Sequence, residues 1–277
     1  MDQNGFFDAC KTGDIHTLQS LDYSRINIHT EDEYAFRLAC KYGYLDIAKL
    51  LVSLEPKYGR INIHAAREDA FLSACEHNHL DILKFLLTLE ETHGLIDIHI
   101  LIGYAFRYTC INGHLNVLKY LISLEPDHNR IDIHVCNEEA FRCACEFGHL
   151  HIVKFLLTLE SDHNRIDIHA ENEDAFRWAC KNGHLDVVKF LLSLESERRR
   201  IDIHCWNDYA FRNSNFHTRH LLIQYDPCYN WQNVKEYRKE LEQIIECLAT
   251  LHQNLIQFDT DILELNVVGI VKEFLLG

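Results

Sequence analysis

Asn172-Glu173-Asp174-Ala175-Phe176-Arg177-Trp178-Ala179-Cys180-Lys181-Asn182-Gly183-His184-Leu185-Asp186-Val187-Val188-Lys189-Phe190-Leu191-Leu192 reads as two helices joined at a glycine. Phe176, Ala179 and Cys180 fall at i, i+3 and i+4, one face of a helix. Acids at its start suit the positive helix N-terminus, and Gly183 suits the left-handed residue that stops a helix. A second helix is predicted from about Leu185 to Leu194, with Leu185, Val188, Leu191 and Leu192 on its inward stripe. A polar loop, Glu195 to Arg200, then leads to Ile201-Asp202-Ile203-His204, whose alternation suits a short strand-like connector.

The hairpin is one copy of many. Ile-x-Ile-His ends at His29, His64, His99, His134, His169 and His204, each 35 residues after the last. A unit this short cannot bury its own apolar face, so neighbours must cover it, and the stack presents a long continuous surface. Recognition of another macromolecule is the function such an array predicts.

Ala-Cys-Lys-Asn-Gly-His-Leu-Asp-Val-Val-Lys-Phe-Leu-Leu resembles the helix-turn-helix core of the ankyrin repeat, and it recurs as Ala39 to Leu51, Ala74 to Leu87, Thr109 to Leu121, Ala144 to Leu157 and Ala179 to Leu192. The resemblance covers about residues 31 to 212 and implies an all-α ankyrin-repeat solenoid of stacked helical hairpins. It also implies a non-catalytic protein-protein interaction module, an adaptor or scaffold. Residues 1–30, with Phe6 to Leu18 as a shortened hairpin, are expected to form a divergent N-terminal capping repeat. Residues 31–225 hold the repeats, Phe211 to Tyr225 being a degenerate last one, and residues 226–277 form a C-terminal helical extension that caps the stack. The family's usual unit has about 33 residues and opens Thr-Pro-Leu-His. Here the opening is an acid or Tyr followed by Ala-Phe-Arg, and the segment from His169 to Phe176 is short for a projecting hairpin finger. Units of this style resemble those of ankyrin proteins encoded by giant amoeba-infecting DNA viruses, which implies a host factor as partner and the host cytoplasm as location.

Composition narrows the classes. A formal charge of −15 repels phosphate backbones, so no nucleic acid is expected. The longest apolar runs are too short to cross a bilayer, and Met1 to Gly5 opens no secretory signal, so an intracellular, cytoplasmic protein is expected without a membrane partner. Cys40, Cys75, Cys110, Cys145 and Cys180 share the 35-residue beat. Stacked equivalents stand about 10 Å apart, whereas bridged cysteines need about 7 Å or less, so these read as small, buried, reduced residues.

Positions held identical across copies serve stacking, and positions free to differ are available for binding. Phe36, Phe71, Phe106, Phe141, Phe176 and Phe211 never vary and are expected in the core. Leu38, Ser73, Tyr108, Cys143 and Trp178 differ at one site of the first helix, and Tyr42, His77, Asn112, Phe147 and Asn182 differ four residues later. The connectors vary too, from Thr30-Glu31 to Cys205-Trp206. In ankyrin proteins these regions line the concave binding surface, so the resemblance and the variability agree. Candidate partner-binding residues are Tyr42, Ile100, Leu101, Ile102, Tyr104, Tyr108, Ile111, Asn112, Val135, Cys143, Phe147, Trp178, Lys181, Asn182 and Trp206. The third copy is the most apolar of them, either an interface core or ordinary local packing.

Nineteen histidines invite a metal, yet ladder rungs about 10 Å apart cannot share one ion that holds its ligands at about 2 Å. Their rings are expected to satisfy backbone groups of turns. Arg37, Arg107, Arg142, Arg177 and Arg212 form another ladder, either a phosphate or carboxylate clamp or partners of Glu33, Glu138, Glu173 and Asp208 four residues earlier. No serine elbow, phosphate-cradling loop or catalytic carboxylate pair is present, so neither a cofactor nor catalysis is expected. Beyond Asp226 the repeat ends, and amphipathic spacing predicts a helix from Trp231 to about Gln253 and another over Ile262 to Leu276. That pair covers the last unit, or recruits ubiquitin-ligase components, or joins two chains into a homo-oligomer.

Overall fold

The computed structural model describes residues 2–96, 98–124, 133–159, 165–194 and 200–226 with residues 229 and 243, the side chains of 98–102 excepted. The predicted tail helices after Trp231 lie outside the described residues. Two compact bodies are present, Met1–Asn215 and Phe216–Gly277. In the second, the helix Phe216–Tyr225 buries Thr218 and Leu222.

The first body is an all-α stack, and no strand occurs among the described residues. Each repeat, counted from its opening isoleucine, holds two long antiparallel helices, followed in the first two by the short helices Glu55–Tyr58 and Glu90–His93. The long pairs are Thr30–Lys41 with Leu45–Ser53, Ala65–Glu76 with Leu80–Thr88, Ile98–Ile111 with Leu115–Ser123, Val135–Glu146 with Leu150–Thr158, and Ala170–Asn182 with Leu185–Leu192. Cys205–Asn213 opens a sixth, and Gln3–Thr12 with Ile15–Gln19 precedes the first. First helices pack mainly on the first helices of their neighbours, second helices on their own partners. The invariant phenylalanines Phe36, Phe71, Phe106, Phe141, Phe176 and Phe211 are all buried, as are Cys10, Cys40, Cys75, Cys110, Cys145 and Cys180. Burial pushes the Cys10 thiol up to about 12 and raises the others, so these thiols stay protonated and inert.

The connector is not a strand, yet its alternation is real. Both isoleucines of each described Ile-x-Ile are buried, and the Asn or Asp between them is exposed. That middle side chain accepts the backbone N–H of the following histidine, as Asn62 does for His64 at 3.1 Å and Asp202 for His204 at 3.0 Å.

After the histidine the chain makes a turn that the sequence does not announce. Glu31, Asp32 and Glu33 all have φ between 52° and 61°, and the same left-handed triplet recurs at Ala66 to Glu68, Cys136 to Glu138, Glu171 to Glu173 and Trp206 to Asp208. Left-handed backbone costs about 1–2 kcal/mol per residue for anything but glycine, so side chains must hold it. Two do so. The arginine five residues beyond the turn's middle reaches back: Arg37 Nε donates to the Asp32 carbonyl at 2.8 Å and Nη2 to that of Glu31 at 3.1 Å. Arg142 and Arg177 repeat this on their own turns. The acid that ends the triplet turns toward the histidine four residues before it, at 2.6–2.8 Å for Glu33, Glu68, Glu138, Glu173 and Asp208. The same oxygen of Glu33, Glu138 and Glu173 accepts the N–H of Asn62, Asp167 and Asp202 in the next connector.

The expected pairing of those acids with the arginines four residues on is therefore wrong. The count is helical but the backbone at the acid is left-handed, which aims its carboxylate at the histidine instead. The third repeat departs from the pattern. Gly103 stands where the others carry the acid and is not left-handed, and its helix starts earlier, at Ile98.

A second histidine ladder closes the other end of the first helix. Gly43, Gly148 and Gly183 are left-handed, and the backbone N–H after each returns to the helix. His79 packs over Gly43, His149 over Gly113 and His184 over Gly148, where an added Cβ would lie only 2.4–2.7 Å from the ring. Nε2 of His79, His114 and His149 bonds the carbonyls of Lys41, Glu76 and Ile111 in the preceding repeat. The histidines do satisfy turn backbone, as expected.

Replacing Gly148 with alanine combines a φ of 78° with a clash on His184, and is expected to lower the unfolding midpoint by an amount consistent with about 1–3 kcal/mol. Chemical denaturation measures it; Asn78→Gly should change stability in the opposite direction, since Asn78 already sits at φ 64°.

Stability should also depend on pH through His29. Its Nδ1 faces Glu33 at 2.8 Å and its Nε2 the Tyr58 carbonyl at 3.0 Å, and only the doubly protonated ring donates to both. Burial lowers its pKa, but the bonds to Glu33 and Tyr58 and the charges of Glu33 and Glu55 outweigh that and raise it above the ordinary 6.5. A raised histidine contributes fully below the unfolded value and loses its contribution as pH rises through the folded one. Urea midpoints should fall on going from pH 6 to 8, and His29→Gln should flatten that slope.

Candidate partner-binding face

The surface available for a partner is set by how closely the first helices stack. Positions facing between neighbouring first helices take small or compact side chains inside. Leu38, Ser73 and Cys143 are buried there, and burial raises the Cys143 thiol to about 11. Cys143 is therefore not a surface residue, contrary to the expectation from its variability. At the same position Tyr108 and Trp178 are half-buried, because a ring this large extends beyond the space that serine or cysteine fills.

One turn on, the variable column does face out. Tyr42 is 38% exposed and Phe147 43%, and His77, Asn112 and Asn182 are exposed as well. These side chains are held rather than loose. Asn182 Nδ2 donates to the Glu146 carbonyl of the preceding repeat at 2.8 Å, Asn112 Nδ2 to the Tyr108 carbonyl at 3.0 Å, and the His77 ring stacks on His79. Beside them lies a column of mixed charge: Lys41, Glu76, Ile111, Glu146 and Lys181. Lys181 Nζ sits 3.9 Å over the Trp178 ring. Glu146, half-buried, has its carboxyl raised by burial first and then by Asp174, against the pull of Lys181, Arg107 and Arg142.

The start of the first helix supplies the rest. Tyr104 is 56% exposed in the third repeat and Trp206 58% exposed in the sixth, with Val135 half-buried between them in sequence. Ile100, Leu101 and Ile102 belong to the helix Ile98–Ile111, but their side chains lie outside what is described. Four large aromatic side chains thus stand on repeat-varying positions of a stack whose invariant phenylalanines are inside.

Sequence reasoning missed the cation ladders. Lys84, Lys119 and Lys154 lie over the rings of Tyr120, Phe155 and Phe190 in the following repeats, at 5.3–5.6 Å. Their signal was the constant lysine of the second helix followed, a full repeat and one residue later, by an aromatic in all five copies, Phe85, Tyr120, Phe155, Phe190 and Tyr225. Among the described residues no group of three or more His, Cys, Asp or Glu could hold a metal ion. No described helix is long and apolar enough to cross a membrane.

A family model for ankyrin repeats, in three copies, matches residues 6–98 and 105–204, more than half of the chain. The break between the two matched stretches falls on the third connector, where Gly103 replaces the acid. No curated protein matches the chain.

Proposed function

This chain belongs to the ankyrin-repeat family, whose repeats generally mediate protein-protein interaction, and on that footing we propose that it binds a partner protein non-catalytically on its first-helix face and connectors. One observation carries the reading: Tyr42, Tyr104, Phe147 and Trp206 are exposed at positions that change from repeat to repeat, while Phe36 and its equivalents are buried. Large aromatics are costly to leave in water, and at interfaces they supply area at little cost in side-chain entropy. Asn112, Asn182 and Lys181 set a polar rim around them.

Of the candidate residues, Tyr42, Tyr104, Tyr108, Ile111, Asn112, Val135, Phe147, Trp178, Lys181, Asn182 and Trp206 are exposed or partly exposed, which supports the reading, and Cys143 is buried. An adaptor or scaffold role follows from binding without chemistry. The viral resemblance and the host partner it implies stand on the style of the units alone.

Replacing both Tyr104 and Phe147 with glutamate in the full chain is expected to weaken partner capture at least 100-fold, about 2.7 kcal/mol, with the thermal unfolding midpoint unchanged. Immobilised chain and quantitative mass spectrometry of what it retains would measure this. Capture at the parent level by a folded double variant would overturn the assignment of the face.

A further inference from the structure

Arginines on the first helix obey a rule that links one repeat to the next. Arg37 Nη1 donates to Asp69 at 2.8 Å and Arg142 Nη1 to Asp174 at 2.7 Å; Arg107, in the repeat whose turn is altered at Gly103, lies 3.5 Å from Glu139. In each case the acid sits 32 residues after the arginine. The second repeat carries Leu72 instead of arginine, and the position facing it in the third is Tyr104, not an acid. Acid and arginine are present together or absent together.

Arg177 breaks the rule. Its Nε and Nη2 hold the turn carbonyls of Asn172 and Glu171 as the other arginines do, but 32 residues on stands Tyr209. Nη1, the group that elsewhere takes the next repeat's carboxylate, meets no acceptor among the described residues. Asp174 touches Arg177 through Nη2 at 3.0 Å, but that carboxylate is already shared with Arg142, so two guanidinium groups have one acid between them. Nearby acids are engaged elsewhere: Glu171 with Asn137, Glu173 with His169 and Asp208 with His204. The residue is only 5% exposed, yet Nη1 is not among the fully buried side-chain atoms that lack a partner, so this N–H still opens toward the surface.

Two rings mark the place. The Arg177 guanidinium carbon is 4.3 Å from the Trp206 ring centroid and 5.3 Å from that of Tyr209, and the two rings meet edge to face. Stacking uses the face of a guanidinium and leaves its in-plane N–H groups to bond an anion, most favourably a planar carboxylate.

The geometry points to Arg177, framed by Trp206 and Tyr209, as the seat for a glutamate or aspartate side chain of the bound partner, which takes the place that Asp69 and Asp174 fill for Arg37 and Arg142. This deepens the reading of the face as a protein-binding surface and rests on it. The carboxylates around it, Asp174, Glu171, Glu173 and Asp208, each already have a partner, so it is the unused N–H of Arg177 that selects for an acidic residue at one point of the contact. Lys181, exposed one helical turn beyond Arg177, extends the same field.

The test follows the Arg177 Nε–H and Trp206 indole N–H resonances by proton–nitrogen NMR on the full chain. The probes are acetyl-Ala-Glu-Ala-Glu-Ala-amide, its glutamine twin, and acetylated pentaalanine with a free C-terminal carboxylate. The glutamate peptide should shift both resonances saturably, and the other two should not. Because Arg177 also holds its own turn, the deciding variant is Tyr209→Asp, which supplies the missing carboxylate from within. It should weaken the glutamate peptide at least tenfold, while Tyr209→Phe leaves it within a factor of two. Equal binding by Tyr209→Asp, equal shifts with the glutamine twin, a response only to the terminal carboxylate, or no response to any probe would overturn the assignment. None of these outcomes bears on Tyr104 and Phe147, whose capture experiment reads repeats three and four.

Discussion

In three of the repeats a single carboxylate oxygen ties one hairpin to the next. In Glu33, Glu138 and Glu173 it takes the histidine of its own repeat and the connector N–H of the following one, so local and inter-repeat geometry are set by the same atom. These acids are 5% exposed, and the second oxygen of each meets no donor among the described residues. The histidine ring four residues earlier is the side chain placed to bond each of them. The bond fixes where the connector leaves one first helix and enters the next, and with it the direction in which Tyr42 or Phe147 points.

The left-handed turn follows from the same arrangement. Three consecutive residues at positive φ cost several kcal/mol on their own, and no glycine occupies them in the five repeats that show it. The acid engaging histidine, joined in the first, fourth and fifth repeats by arginine pinning the turn carbonyls, offsets that cost. Where Gly103 removes the acid, Arg107 loses its hold as well, and its side chain is 48% exposed. The second repeat keeps the acid and the turn with Leu72 in place of arginine, so the acid is the device the turn depends on, and the third repeat, which lacks the acid, lacks the turn.

Much of this was legible before any coordinates. The phenylalanine, cysteine and glycine ladders declare their roles because burial and positive φ admit few residue types, and six copies repeat the choice. The candidate face was legible in outline, since variability against an invariant core marks what stacking does not use. Two readings failed for identifiable reasons. Glu33 and Arg37 are four apart, which on a helix makes them neighbours, but the backbone at Glu33 is left-handed and sends them to different partners. Cys143 varies like a surface residue and is inside, because cysteine is compact enough to fit where tryptophan is not.

Period, hairpin and core were set by the chain itself, because they depend on spacings of three, four and 35 residues and on side chains with one tolerable environment. Partners 29, 32 and 38 residues apart were decided only when the hairpins stacked: the acid on the next connector, the arginine on the next acid, the histidine on the previous carbonyl. The residues recur with the period, but each repeat carries several acids and histidines, and only the packed backbone selects which of them meet.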